Sequence, residues 1–199
     1  MKLATVFVLL WFALAFTLSV TGWFSQFAAA TLFGIGAILS VTGFFILHRL
    51  SGRFRGFLKA RSLKRLTLVQ TLRFFGILAL VKTDQHILPA TFAIPTGVID
   101  VAFAVTSFFV AARLVAANGN PRRGFIAWHI LGLAGLAVSV TLAILLSSNR
   151  FGFLAKEGVS IQSMAQFPMS LVPTFIGPMV LICHLLALAA VWRGTTLAR

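Results

Sequence analysis

Three ionisable side chains, Arg73, Asp100 and His184, stand inside long apolar runs of the sequence. In hydrocarbon such groups are expensive, so each marks a functional site by default. Arg73 precedes Lys82 by nine residues, and Asp100 follows Thr91 by nine. At a helical rise of 1.5 Å, both therefore lie about 13 Å from the same end of two consecutive antiparallel helices. They are expected to form a buried ion pair. Such a pair serves either as a substrate or proton site or as a device that fixes helix packing.

Histidine offers a second chemistry. His129 and His184 are the two imidazoles placed to ligate a haem or serve a quinone, which requires both at one depth. Their estimated depths differ by several ångströms, so the plainer reading has each bonded to a neighbouring helix. No metal site is expected, since zinc would want more thiolate, imidazole or carboxylate ligands. Cys183 points about 100° away from His184 on the same helix and is expected to pack.

Proline supplies the third signal. Pro89 and Pro95-Thr96-Gly97 open one apolar run; Pro168, Pro173-Thr174 and Pro178 punctuate another. Each proline frees a backbone carbonyl that a neighbour must satisfy. Leu88-Pro89 to Pro95-Thr96 resembles Phe167-Pro168 to Pro173-Thr174, which suggests two hairpin repeats with broken helices at corresponding positions, a pointer to a solute site. The candidate binding set is accordingly Arg73, Asp100, Thr96, Thr174, Pro95 and Pro173. No catalytic residues are assigned: phosphate loop and nucleophile elbow are missing from the sequence. Its three acids lie in separate segments and its tyrosine count is zero.

These residues must be positioned by helices in a bilayer. The chain has 199 residues, 59% of them apolar and only 10% charged, with mean hydropathy +1.01. A soluble domain has about 25% charged residues. The composition excludes a soluble enzyme, a disordered chain and a disulfide scaffold. The apolar residues run in blocks rather than alternating, which disfavours a membrane barrel. The fold class is all-α: one transmembrane domain, 1–199, of six spans at about 3–20, 27–47, 66–81, 91–115, 125–146 and 167–192. The small residues of spans two and five, among them Gly34, Gly36, Gly132, Gly135 and Ser139, read as ordinary packing devices and place those spans centrally.

The formal charge of +14 is explained by topology. With both termini cytoplasmic, Lys82, Arg150 and Lys156 fall outside and the other 14 of the 17 basic residues fall on the cytoplasmic side or toward it, Arg73 included, as the positive-inside rule requires. The basic segment 48–65 is expected to lie on anionic lipid, and 147–166 forms the outer loop. Nucleic acid is not an expected partner, because no soluble module carries a recognition element.

The stretch Arg73-Phe-Phe-Gly76 … Leu88-Pro89 … Phe92-Ala93-Ile-Pro95-Thr-Gly97 … Asp100 resembles an uncharacterised family of bacterial polytopic inner-membrane proteins. Trp128-His129-Ile-Leu-Gly132 and Leu171-Val-Pro173-Thr174-Phe175-Ile-Gly-Pro178 … His184 are similar to it as well. The resemblance covers about residues 70–190 and implies a bacterial inner membrane, but brings no activity. It also implies that Asn is more frequent at the position of His129, which weighs against haem there.

Three functions follow as expectations. The first is binding or passage of a small solute or ion through an outward-opening polar site, with no cofactor. The second is a haem- or quinone-linked redox protein using His129 and His184. The third is a non-catalytic accessory subunit. Either a homodimer or a membrane partner suits six short helices.

Overall fold

The computed structural model describes residues 2–52, 62–116, 123–147 and 160–192. They form α1 (Lys2–Val20), α2 (Ala29–Leu50), α3 (Leu63–Asp84), α4 (Ala90–Ala116), α5 (Arg123–Leu145) and α6 (Val172–Trp192), with short 3₁₀ turns at Trp23–Gln26 and Ile161–Ala165. The described residues are helical throughout, with no strand. Helices α2 to α6 are each long and apolar enough to cross a membrane; the apolar stretch Thr5–Val20 of α1 is shorter. The basic segment and the outer loop lie, apart from their ends, outside the described residues.

Apolar side chains cover the outside of the bundle. Leu10, Phe45, Ile94, Phe109 and Leu131 are all exposed at its surface, which suits a lipid environment and not water. The interior is built in three apolar clusters, one of which joins Ala15 of α1 to Leu171, Phe175, Ile176 and Val180. A second joins Phe33, Ala79, Phe92 and Ala143. The third joins Phe44, Leu63, Leu114, Phe125 and Leu186. Along α3 and α4 the second cluster occupies one end and the third the opposite end, so residues between them, Arg73 and Asp100 included, sit in the middle layer. Spans two and five were expected at the centre, but α6 is the most enclosed, with 56% of its span window buried against 28% for each of those two.

Two helices depart from regular geometry. Val69–Phe75 of α3 tightens into a 3₁₀ segment. With three residues per turn, Gln70 and Arg73 lie on one line down the helix. At the start of α6, Val172–Ile176 is a π-helical turn, and the Gly177 amide donates to the Val172 carbonyl. By contrast, α4 continues through Pro95 as an α-helix. The two proline segments that look alike in sequence thus differ in backbone. Pro178 has no amide to give the Thr174 carbonyl; the indole Nε1 of Trp11 donates to that oxygen instead, at 3.2 Å. Phe175 stacks edge-on against Trp11 and Phe12, and the Ser19 and Ser170 hydroxyls are hydrogen-bonded to each other. Helix α1 is therefore fastened to the irregular beginning of α6.

Replacing Trp11 by Phe keeps the ring stack and orphans the Thr174 carbonyl. We expect unfolding in bicelles to show a loss of about 1 kcal/mol, typical of hydrogen bonds between membrane helices. An unchanged unfolding free energy would show that the bond contributes nothing.

Candidate functional site

Four helices each bring one polar side chain into the middle of the bundle. Arg73 comes from the 3₁₀ segment of α3, Asp100 from α4, His129 from α5 and His184 from α6. Arg73, His129 and His184 are almost wholly enclosed, whereas the Asp100 side chain keeps 20% of its surface. Arg73 Nε donates to Asp100 Oδ1 at 2.8 Å. Its Nη2 stands equally close to the same oxygen, as an ion-pair contact without hydrogen-bond alignment. The guanidinium lies over the Phe103 ring, 4.5 Å from its centroid, a favourable contact between a cation and an aromatic face.

The far side of the guanidinium faces histidine. Arg73 Nη1 is 3.5 Å from His184 Nε2, at the outer edge of hydrogen-bond range. His184 Nδ1 is 2.7 Å from His129 Nδ1. The four groups therefore make one continuous chain, Asp100 to Arg73 to His184 to His129. Trp128 flanks both imidazoles, and its own Nε1 donates to Thr106 Oγ1 at 3.0 Å. The separate depths expected for the two histidines do not hold. Helix α5 begins two residues before the expected start of span five, and each residue shifts a depth estimate by about 1.5 Å.

Proton positions follow from the network. Arg73 is a donor only, so the His184 nitrogen facing it must offer a lone pair. A neutral imidazole with a bare Nε2 carries its proton on Nδ1. His184 Nδ1–H then donates to His129 Nδ1, and His129 must carry its own proton on Nε2. That nitrogen is buried and has no partner among the described residues. The opposite arrangement would aim two donors at each other beside a cation. Two nitrogens on opposite faces of one metal, each bonded at about 2.0–2.1 Å, stand about 4 Å apart. The 2.7 Å spacing is that of a shared proton.

Glycines admit these groups. A Cβ on Gly132 would run into the His184 ring, one on Gly76 would meet Asp100 Cβ at 2.6 Å, and one on Gly135 would press on Ile99 at 2.8 Å and approach Arg73 Nη2 at 3.5 Å. Their spacing alone marks them as helix-packing residues; only the polar residues they face give them a role in the site. Gln70, also fully enclosed, donates through Nε2 to the Val180 carbonyl at 3.1 Å and leaves its Oε1 unpaired. Being uncharged, it gave no signal within its apolar run.

The remaining candidates stand apart from the chain. Thr96 Oγ1 donates to the Phe92 carbonyl at 2.7 Å and Thr174 Oγ1 to the Ser170 carbonyl at 2.6 Å, each within its own segment. Thr96 is one turn from Asp100 on α4, with Pro95 beside it. Thr174 is ten residues before His184 on α6, and the neighbouring Pro173 carbonyl packs against Gly36 of α2. Cys183 is buried in the apolar cluster that also contains Leu186. Among the described residues, no group of three or more histidine, cysteine or acidic side chains could hold a metal ion.

Residues 30–192 match a protein family described as a domain of unknown function, DUF8737. The chain belongs to that family. The DUF8737 match runs through α2 to α6 and so contains all four members of the polar chain, while α1 precedes it. No curated protein and no solved structure matches the chain.

Gly132→Ala should be destabilising by about 1–3 kcal/mol, as an overpacked contact is, because the methyl displaces the His184 ring. Gly34→Ala, where an added Cβ meets nothing within 4 Å, should stay within about 0.5 kcal/mol of wild type. Bicelle unfolding of the two variants checks the difference; equal effects would remove Gly132 from the site.

Proposed function

We propose that this is a six-span bacterial inner-membrane protein, both termini cytoplasmic, that binds or passes a small solute or ion at the Asp100–Arg73–His184–His129 chain. The observation that carries the reading is the continuity of the chain. One ion pair would fix helix packing on its own, and two further polar side chains add desolvation without adding charge compensation. Stability alone favours apolar residues in such places. A connected set of ionisable groups in the middle of a bundle is instead what substrate and proton pathways require. Asp100 is its opening, as the member that reaches the protein surface.

The orientation rests on the distribution of basic residues in the sequence, and α1 completes the six spans by lying against α6. Anionic lipid is the partner of the basic 48–65 segment, and Thr96, Thr174, Pro95 and Pro173 shape the path from the outer side. The reading calls for no resident cofactor, metal or nucleic acid. The haem- or quinone-linked alternative draws on the same two histidines, but their close spacing favours proton sharing. The accessory-subunit alternative needs the polar chain only for assembly, whether as a homodimer or with another membrane protein.

Proteoliposomes test the reading. Purified protein should raise the permeability of vesicles to at least one of H⁺, Na⁺, K⁺ or Cl⁻ above that of empty vesicles. Asp100→Asn should lower that flux about tenfold or more, because it leaves Arg73 an uncompensated cation in the path, and Asp100→Glu should restore part of it. Wild-type vesicles as tight as empty ones to all four ions would overturn the reading. A Soret band in the purified protein would favour the haem alternative.

A further inference from the structure

The unpaired Nε2 of His129 has no place in a structural ion pair. It is the end of the polar chain, on a fully enclosed side chain, and by the tautomer argument it is a donor with nothing to receive its proton. Buried N–H groups without partners are rare and call for an explanation such as a water. At the other end, the His184 Nε2 lone pair is covered by Arg73 Nη1, through a long 3.5 Å contact. Between them lies the shorter 2.7 Å bond of the two imidazoles.

We propose that His184 and His129 form a two-ring proton wire and that Arg73 is its plug, held back or released through Asp100. The proposal rests on the reading above and specifies its ion as the proton. The step balances as follows. Arg73 Nη1 withdraws, and a proton binds His184 Nε2. The proton on His184 Nδ1 crosses to His129 Nδ1. The proton on His129 Nε2 then leaves to a water molecule. One proton enters and one leaves; both rings end as the reversed tautomers, and each must turn or exchange its proton before the next passage. Arg73 itself carries no proton through, because a guanidinium does not give one up in a protein. The ion pair is therefore a gate beside the wire and not part of it.

The surroundings bear on this assignment. Toward the two imidazoles α3 brings Arg73, and α4 brings Asp100 behind it together with the Phe103 ring. Helix α5 brings His129 itself and Trp128. On α6 the adjacent titratable residue is Cys183, in the apolar cluster. Helix α2 has no titratable residue from Ala29 to Leu47. Arg73 is therefore the one cation seen against the wire among the described side chains, and its position decides whether His184 Nε2 is open. Phe103 gives the guanidinium a second favourable face, so it remains partnered on one side when it leaves the imidazole.

Two measurements on the full-length protein in lipid vesicles decide the matter. The first is ¹⁵N solid-state NMR of histidine-labelled protein. His184 should carry its proton on Nδ1 and His129 on Nε2, with a proton shared between the two Nδ1 atoms; the reverse assignment would overturn the proposal without any flux being measured. The second is proton leak into vesicles holding a pH-sensitive dye. Arg73→Gln should raise it about tenfold and Arg73→Lys by less, and adding His129→Asn to Arg73→Gln should abolish the rise, since an amide bonds to His184 without relaying a proton. Passage of another ion that ignores the His129 variant would sink the wire and leave the broader reading standing. No flux of any ion in any variant would sink both.

Discussion

The positive charge of Arg73 is the constraint around which the middle of this bundle is arranged. Moving a guanidinium out of water costs several kcal/mol even after relaxation, and no water surrounds a span to lessen it. Each neighbour offsets part of that cost in a different way. Asp100 neutralises the charge across a 2.8 Å hydrogen bond. Phe103 offers its ring face, and His184 offers a lone pair. Because these partners come from two other helices, the charge also fixes which faces of α3, α4 and α6 meet. A rotation of α3 or α4 by a quarter turn would separate the ion pair.

Such a cluster can be assembled only where backbones come close. Apolar side chains gain little by leaving lipid for each other, so membrane helices associate through packing and hydrogen bonds, with small residues at the contact. Here the glycines lie at the polar residues. Gly76 lets α3 reach Asp100, and Gly132 lets α5 accept the His184 ring. Hydroxyl groups elsewhere, such as Thr67, Ser107 and Ser139, are turned back on carbonyls of their own helices. They add polarity to the composition without adding to the chain. What sets the four-residue chain apart is that its side chains contact one another across helices, whereas these hydroxyls serve their own helix.

The sequence was most informative where hydrocarbon makes a residue costly. Five apolar runs long enough to cross a membrane reappear as helices whose ends lie within a few residues of those expected, and Arg73 and Asp100 meet as equal depth on adjacent helices suggested. It was least informative where rotation and backbone irregularity decide the outcome. Gln70 shares a line with Arg73 only because that part of α3 is 3₁₀, which no residue in the stretch announces. The like proline segments diverge because Pro173 falls in a π turn and Pro95 does not. The two histidines looked mismatched because α5 begins two residues before the expected position, an error of about 3 Å in apparent depth. Trp11 takes the place of the amide that Pro178 lacks at the Thr174 carbonyl, a long-range contact that no local pattern in the sequence announces.

Charge counting also explains why the chain joins an ion pair to two imidazoles. With Arg73 cationic, Asp100 anionic and both histidines neutral, the cluster has no net charge, which is the state a low-dielectric interior tolerates best. A proton that came to rest on either imidazole would add an uncompensated charge a few ångströms from a guanidinium. The cluster therefore resists storing a proton. A site built to hold a cation would want a second acid beside the histidines, and the described interior has none. A site built only to pin helices together would have no use for the unpaired nitrogen on His129. What the geometry holds is a chain neutral as a whole, with Asp100 balancing Arg73 at one end and an imidazole nitrogen without a partner among the described residues at the other.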